Sequence, residues 1–197
     1  MLETLKIENG LICNAAYHNR RMNAARKELF GITSPLILEQ EIRIPDAYRK
    51  GTVRCRVICS QQLEEISLIP FVPRTIKKMK TIQHNRIDYH LKLEDRSLLH
   101  ALYARKGEAD EIIIIKNGLV TDCTIGNLVF YDGKGWITPD TPLLEGTQRQ
   151  VLLESGKIRA ERILKSELPS FSYAGIINAF YKPGNMPLIS SKNILIE

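Results

Sequence analysis

The chain has 197 residues, enough to bury a sizeable core as one domain or two small lobes. With 44% hydrophobic and 25% charged residues it has the composition of a folded soluble protein, and no apolar run reaches membrane-spanning length. A net charge of +6, from 28 basic and 22 acidic residues, suits an anionic partner: nucleic acid, or a phosphorylated or carboxylated small molecule.

The basic residues are distributed along the chain, and no RGG, zinc-finger or RNP pattern accompanies them, so nucleic acid is the weaker of these expectations. The opening Met1-Leu2-Glu3-Thr4 is not a signal peptide. Cys13, Cys55, Cys59 and Cys123 lack CxxC spacing, which argues against zinc and for a reduced, cytoplasmic setting with the thiols acting as small buried hydrophobes.

In chain order, Glu3 to Glu8 reads as a strand and Asn9-Gly10 as a two-residue hairpin turn into Leu11 to Ala15. A helix follows from Ala16 to Phe30, closed by Gly31. After a short helical turn at Pro45 to Arg49, the segment from Thr52 to Ser60 alternates. Val53, Cys55, Val57 and Cys59 share one face, opposite Arg54 and Arg56, which predicts a half-buried strand. Ile66 to Val72 is its expected antiparallel partner.

From Pro73 to Asn85 the composition turns basic and the apolar periodicity fades, which suggests a connector. A helix is expected from Lys92 to Lys106. The run Glu111-Ile-Ile-Ile-Ile-Lys116 predicts a central strand covered on both faces. Asn117-Gly118 turns it into Leu119 to Cys123, a polar bend follows at Thr124 to Asn127, and Leu128 to Tyr131 and Trp136 to Thr138 complete a meander. Thr147 opens a helix to about Glu154, with Thr147 and Gln150 at capping-box spacing. A short helix near Ser166 to Leu168 and a strand from Ala174 to Ala179 end the chain. The expected division is a small α/β lobe, residues 1–82, and a larger lobe, residues 83–197.

Spacing alone yields no nucleotide loop, nucleophile elbow or metal-ligand pattern, and His18, His84, His90 and His100 are not spaced as ligands. The ordered set of short matches is more informative. Glu3-Thr4 with Asn9-Gly10, then His18-Asn-Arg-Arg21-Met22, then Gly107-Glu-Ala-Asp-Glu111, then Val120-Thr-Asp122 with Asn127-Leu128, then Thr138-Pro139 and Leu144-Glu-Gly-Thr-Gln-Arg149, and finally Asn178-Ala179, run across nearly the whole chain. In this order they resemble the class IV, fold-type IV, aminotransferase and aminodeoxychorismate lyase family. Members of that family usually carry a further strand and a G-D-G-x-F segment before the E-T pair, so the resemblance is to a short member lacking the usual N-terminal segment.

The resemblance implies a two-lobed α+β fold of the D-amino-acid aminotransferase type, with a meander or barrel-like sheet and flanking helices in the larger lobe. It implies pyridoxal 5'-phosphate as cofactor, an amino substrate and a homodimer. Lys92 occupies the place of the family's Schiff-base lysine, a primary amine that also shuttles the substrate proton. Asp122 stands where the family has a glutamate facing the pyridine nitrogen. Arg21 matches the phosphate arginine. Thr147 and Gln148 open a helix whose N-terminus favours an anion. Asn178 adds a side-chain donor, Arg96 buttresses the region, and Asn127 shapes the bend after Asp122. No metal is expected. The reaction implied is either transamination to a 2-oxo acid or elimination of pyruvate from aminodeoxychorismate. The rivals are a catalytically degenerate relative that binds pyridoxal phosphate or another anion, and a basic nucleic-acid-binding protein.

Overall fold

The computed structural model describes residues 1–197. The chain forms two compact units, residues 1–73 with 91–94, and residues 74–90 with 95–197. No helix is long and apolar enough to cross a membrane.

The first unit is a four-stranded sheet with a helix on one face. β1 (Leu2–Glu8) turns through Asn9 and Gly10 into β2 (Leu11–Ile12), and both turn residues have positive φ, 49° and 81°, as the tight hairpin demands. α1 (Ala15–Phe30) ends where Gly31 takes the left-handed conformation and returns its N–H to the Lys27 carbonyl. α2 (Leu38–Glu41) is a single turn. β3 (Thr52–Cys59) lies antiparallel between β1 and β4 (Leu63–Pro70), a partner that begins earlier than the Ile66 expected from composition. Leu5 and Ile7 of β1, Met22 of α1, and Val53, Cys55, Val57 and Cys59 of β3 meet in one core, so the alternation read in the sequence is the buried face.

The second unit is layered. The stretch from Pro73 to Asn85 is no simple connector, because it contains β5 (Met79–Gln83), which lies wholly within this unit and crosses residue 82. Its lysines masked it: Met79, Thr81 and Ile82 are buried while Lys80 reaches the surface. β5 runs parallel to β6 (Glu111–Lys116), a pairing that needs a long crossover, and residues 84–110 supply it. The crossover helix, α3 (Ser97–Tyr103), starts five residues after Lys92 and gives way to a 3-10 turn over Ala104–Lys106. The helix expected from Lys92 is therefore shorter at its start. Asp95 accepts bonds from the Ser97 N–H and hydroxyl, which sets the first turn there.

The meander is also divided. β6 and β7 (Leu119–Val120) belong to one sheet, whereas β8 (Asn127–Tyr131) and β9 (Trp136–Pro139) belong to another. α4 (Thr147–Glu154) and β10 (Arg159–Glu161) follow, then β11 (Tyr173–Ile177), β12 (Leu188–Ser190) and β13 (Ile194–Leu195). The strand orders are β13-β5-β6-β7 and β10-β9-β8-β11-β12.

Met79, Ile113, Ile115 and Val120 of the first of these sheets pack on Leu128, Phe130, Ile137, Ala174 and Ile176 of the second. The opposite faces carry the helices. Ile112 and Ile114 meet Leu99 and Leu102 of α3, and Val129 and Ile177 meet Leu152 of α4. All four isoleucines of β6 have no solvent exposure, which explains its unbroken apolar run.

Candidate active site

The chain passes from one sheet of the second unit to the other through residues 121–127. The Ile114 N–H bonds the Asp122 carbonyl at 2.9 Å, and Asp122 forms an antiparallel bridge with Asn127. Asp122 thus stands at the seam of two sheets. The bend lies close against β11, where a Cβ on Gly126 would fall 2.4 Å from the Ile177 carbonyl oxygen, so only glycine fits without a shift.

The Asp122 side chain is 5% exposed and held at both oxygens. Oδ2 accepts the backbone N–H groups of Leu143 and Leu144, each at 2.9 Å, and Oδ1 accepts the Asn127 amide at 2.8 Å. Burial pushes its carboxyl up to about 6, against the pull of these bonds and of the Arg149 charge. Oδ1 accepts one bond where a carboxylate oxygen can accept two.

The same bend gathers further nominated residues. Arg96 donates to the Thr124 carbonyl, and Asn178 donates to the Ile125 carbonyl at 3.0 Å. The Asn178 oxygen accepts from Phe180 and Tyr181, so its side chain also folds its own turn. Glu111, fully buried, accepts the Thr124 hydroxyl at 2.8 Å, and its other oxygen has no hydrogen-bond partner. Burial pushes its carboxyl upward.

Asn127 ties this bend to α4. Its amide also donates to the Leu144 carbonyl at 2.8 Å, and its oxygen occupies the space beside Gly146. Gly146, not Thr147, is the N-cap, and no capping box forms. Gln150 turns to Glu145 instead, as does Arg149 at 2.9 Å. Thr147 and Gln148 are the first two residues of the helix and are both buried.

Arg21 and Lys92 belong to the first unit. Arg21 sets Nε on Glu3 Oε1 at 2.8 Å and a terminal nitrogen on Oε2 at 2.6 Å, while His18 Nδ1 stands 2.7 Å from Oε2. Burial would raise the Glu3 carboxyl, but the Arg21 charge and the bonds from His18 and Arg21 outweigh it and bring it down to about 2. Lys92 is half-buried in an irregular segment, with its carbonyl bonded to the Leu2 N–H at 2.8 Å.

Reading the sequence missed the main-chain amides of Leu143 and Leu144, which no side-chain pattern announces. It also missed Arg149, although this residue closes the Leu144-Glu-Gly-Thr-Gln-Arg149 match. Arg149 is 4% exposed and bonds the Pro139 carbonyl at 3.0 Å.

The amino-transferase class IV family model matches residues 1–182. An uncharacterised protein of Haemophilus influenzae is 41% identical over 181 residues, covering 91% of this chain and 96% of its own. A crystal structure from Haemophilus somnus, described as a candidate 4-amino-4-deoxychorismate lyase, is 38% identical with a TM-score of 0.86, and the match covers 91% of this chain and 95% of that one. The pyridoxal-phosphate-bound form of a hypothetical aminotransferase from Mycobacterium tuberculosis, 18% identical, shares the fold with a TM-score of 0.76, over 96% of this chain and 79% of that one.

Proposed function

Because the chain belongs to the amino-transferase class IV family, a family of pyridoxal-phosphate enzymes, we propose that it binds this cofactor at Lys92 and Asp122 and eliminates pyruvate from aminodeoxychorismate. The observation that carries this reading is the Asp122 carboxylate, buried at a sheet seam with one acceptor position left on Oδ1. That donor set suits the group: a buried carboxylate complements a protonated pyridine nitrogen, and an eight-residue helix opening on Gly146 complements a phosphate. When bound, the cofactor supplies an electron sink for the pair released at the substrate's α-carbon.

In this reading Lys92 would hold the cofactor through its side-chain amine, which would also carry the substrate's α-proton. Asp122 keeps the ring nitrogen protonated. Its side chain is one methylene shorter than glutamate, and the Leu143 and Leu144 amides fix where it ends. Thr147 and Gln148 receive the phosphate with the positive end of α4, and Arg21 adds charge in the orientation that Glu3 imposes. Arg96 and Asn178 hold the Thr124 and Ile125 carbonyls and thereby the bend that carries Asp122. The proposal includes a cytoplasmic homodimer.

The lyase outcome is favoured by the name of the Haemophilus somnus relative at 38% identity. Amino transfer to a 2-oxo acid is the second reading, favoured by the family description itself. The purified protein should be yellow, and borohydride should bleach it and fix the cofactor on the peptide containing Lys92. Pyruvate release from aminodeoxychorismate without an added oxo acid identifies the lyase, and oxo-acid-dependent turnover of an amino donor identifies the transferase. A colourless protein that pyridoxal phosphate does not reconstitute sinks the proposal.

A further inference from the structure

Asn127 is 4% exposed at the first position of β8, and its side chain does three things at once. One amide nitrogen donates both to Asp122 Oδ1 and to the Leu144 carbonyl, each at 2.8 Å. The amide oxygen sits where residue 146 has no side chain: a Cβ there would stand 1.9 Å from it. Leu144, in turn, gives its N–H to Asp122 Oδ2. The ring of contacts therefore runs from Asp122 through Asn127 to the turn at Leu143–Gly146 and back to Asp122, and Gly146 is the N-cap of α4.

Only a planar amide closes this ring. Both of its N–H groups are spent, one on an anion and one on a carbonyl, so a hydroxyl has too few donors. A carboxylate has none, and would put a second negative charge beside Asp122. The bond to Asp122 is charge-assisted, and such bonds favour the ionised acceptor.

We propose that Asn127 is a positioning residue that holds Asp122 in its ionised, oriented form and locks that carboxylate to the start of α4. The ring-nitrogen partner and the phosphate-binding helix then move as one rigid piece. This rests on the functional reading above, because it assigns the two ends of the piece to the two ends of one cofactor. Asn127 acts through Asp122 and does not itself touch the cofactor.

The test uses Asn127→Ala, Asn127→Asp and Asn127→Ser, each alone and with Asp122→Asn. Two measurements are made on protein stripped of cofactor. The first is the titration of the Asp122 carboxyl, followed by carbon-13 NMR. The second is hydrogen exchange at the Leu143 and Leu144 amides. Loss of the amide should move the Asp122 titration upward and speed exchange at both amides, with Asn127→Ser intermediate. The third measurement is affinity for pyridoxal phosphate, which should fall about ten- to a hundredfold in Asn127→Ala, the usual effect of deleting a hydrogen bond to a charged group. In the Asp122→Asn background the same change should do little more, because the two residues act as a unit.

An unchanged Asp122 titration, or an equal loss of affinity in both backgrounds, would reduce Asn127 to a packing residue and overturn the proposal. If Asn127→Ala does not fold, Asn127→Ser decides by the same readouts. Failure of the unaltered protein to bind pyridoxal phosphate is a different result. It removes the functional reading and with it the link between the two cofactor ends, while the titration and exchange still decide whether Asn127 controls Asp122.

Discussion

Arg21 and Glu3 form a two-point ion pair, Nε to Oε1 at 2.8 Å and a terminal nitrogen to Oε2 at 2.6 Å, which ties α1 to β1 inside the first unit. Glu3 is 2% exposed, so its charge is tolerable only while Arg21 and His18 face it. Its carboxyl lies at about 2 against an ordinary 4.5. A lowered acid contributes stability that is complete above 4.5 and is lost as the pH falls through about 2, here about 3 kcal/mol. Glu3→Gln should destabilise the protein by about 3–5 kcal/mol at pH 7, because it removes one partner of a largely buried ion pair. The gap from the unaltered protein should narrow by about 2 kcal/mol between pH 7 and pH 3. Urea titrations across that range check it, and a constant gap would mean that charge pairing is not what Glu3 supplies.

Asp122 behaves with the opposite sign. Its carboxyl is raised from 3.8 to about 6 because burial outweighs its hydrogen bonds. A raised acid costs nothing below the unfolded value and destabilises progressively as the pH climbs through the folded one, in total roughly 3 kcal/mol. Without cofactor, Asp122→Asn should therefore gain on the unaltered protein by up to about 3 kcal/mol between pH 4 and pH 8. Denaturant midpoints at the two pH values measure this, and a pH-independent difference would show that Asp122 titrates normally.

All four cysteines are free, and Cys55, Cys59 and Cys123 are buried while Cys13 is half-buried. Burial pushes the Cys55 thiol up to about 12 and raises Cys59 and Cys123 as well. Since the thiolate is the reactive form, a disulfide reagent at pH 8 should label one cysteine of the native protein, Cys13, and all four only after denaturation. Mass mapping identifies the site. Rapid native labelling of Cys55 would contradict the burial of β3.

Gly146→Ala places a methyl against the Asn127 side chain, at 1.9 Å from its oxygen before any shift. Gly146 has φ −68° and ψ 137°, so the backbone itself accepts alanine and the damage is steric. A cost of about 1–3 kcal/mol in stability is expected, typical of overpacking, together with weaker pyridoxal phosphate binding. Calorimetry and a cofactor titration on the variant read both effects. Wild-type values in both would mean that Asn127 has room to retreat.

The sequence made the local devices of the first unit legible, because each is written in neighbouring residues. Asn9-Gly10 specifies a turn that needs two positive φ angles, Gly31 specifies a helix stop, and the alternation of Val53, Cys55, Val57 and Cys59 specifies a face. β5 stayed hidden because its strand character comes from a partner more than twenty residues away, while Lys77 and Lys78 just before it and Lys80 within it make the stretch read as basic and polar. Asp122 is nominated through resemblance alone. What holds it, the main-chain amides of Leu143 and Leu144, has no signature in any side chain. Thr147 was assigned a cap that Gly146 provides, since a glycine backbone at that point serves a close approach invisible to local pattern.

β13 seals the outer margin of β5: Ile194 and Leu195 pair with Met79 and Lys80, and the Glu197 N–H reaches the Thr81 hydroxyl across 116 positions. Loss of residues 194–197 would bare the unpaired N–H and C=O groups along the edge of β5, a template for strand addition from a neighbouring molecule. Protein cut within this stretch should therefore precipitate more readily, and the integrity of residues 194–197 is the first thing to verify by mass in material that clouds on storage.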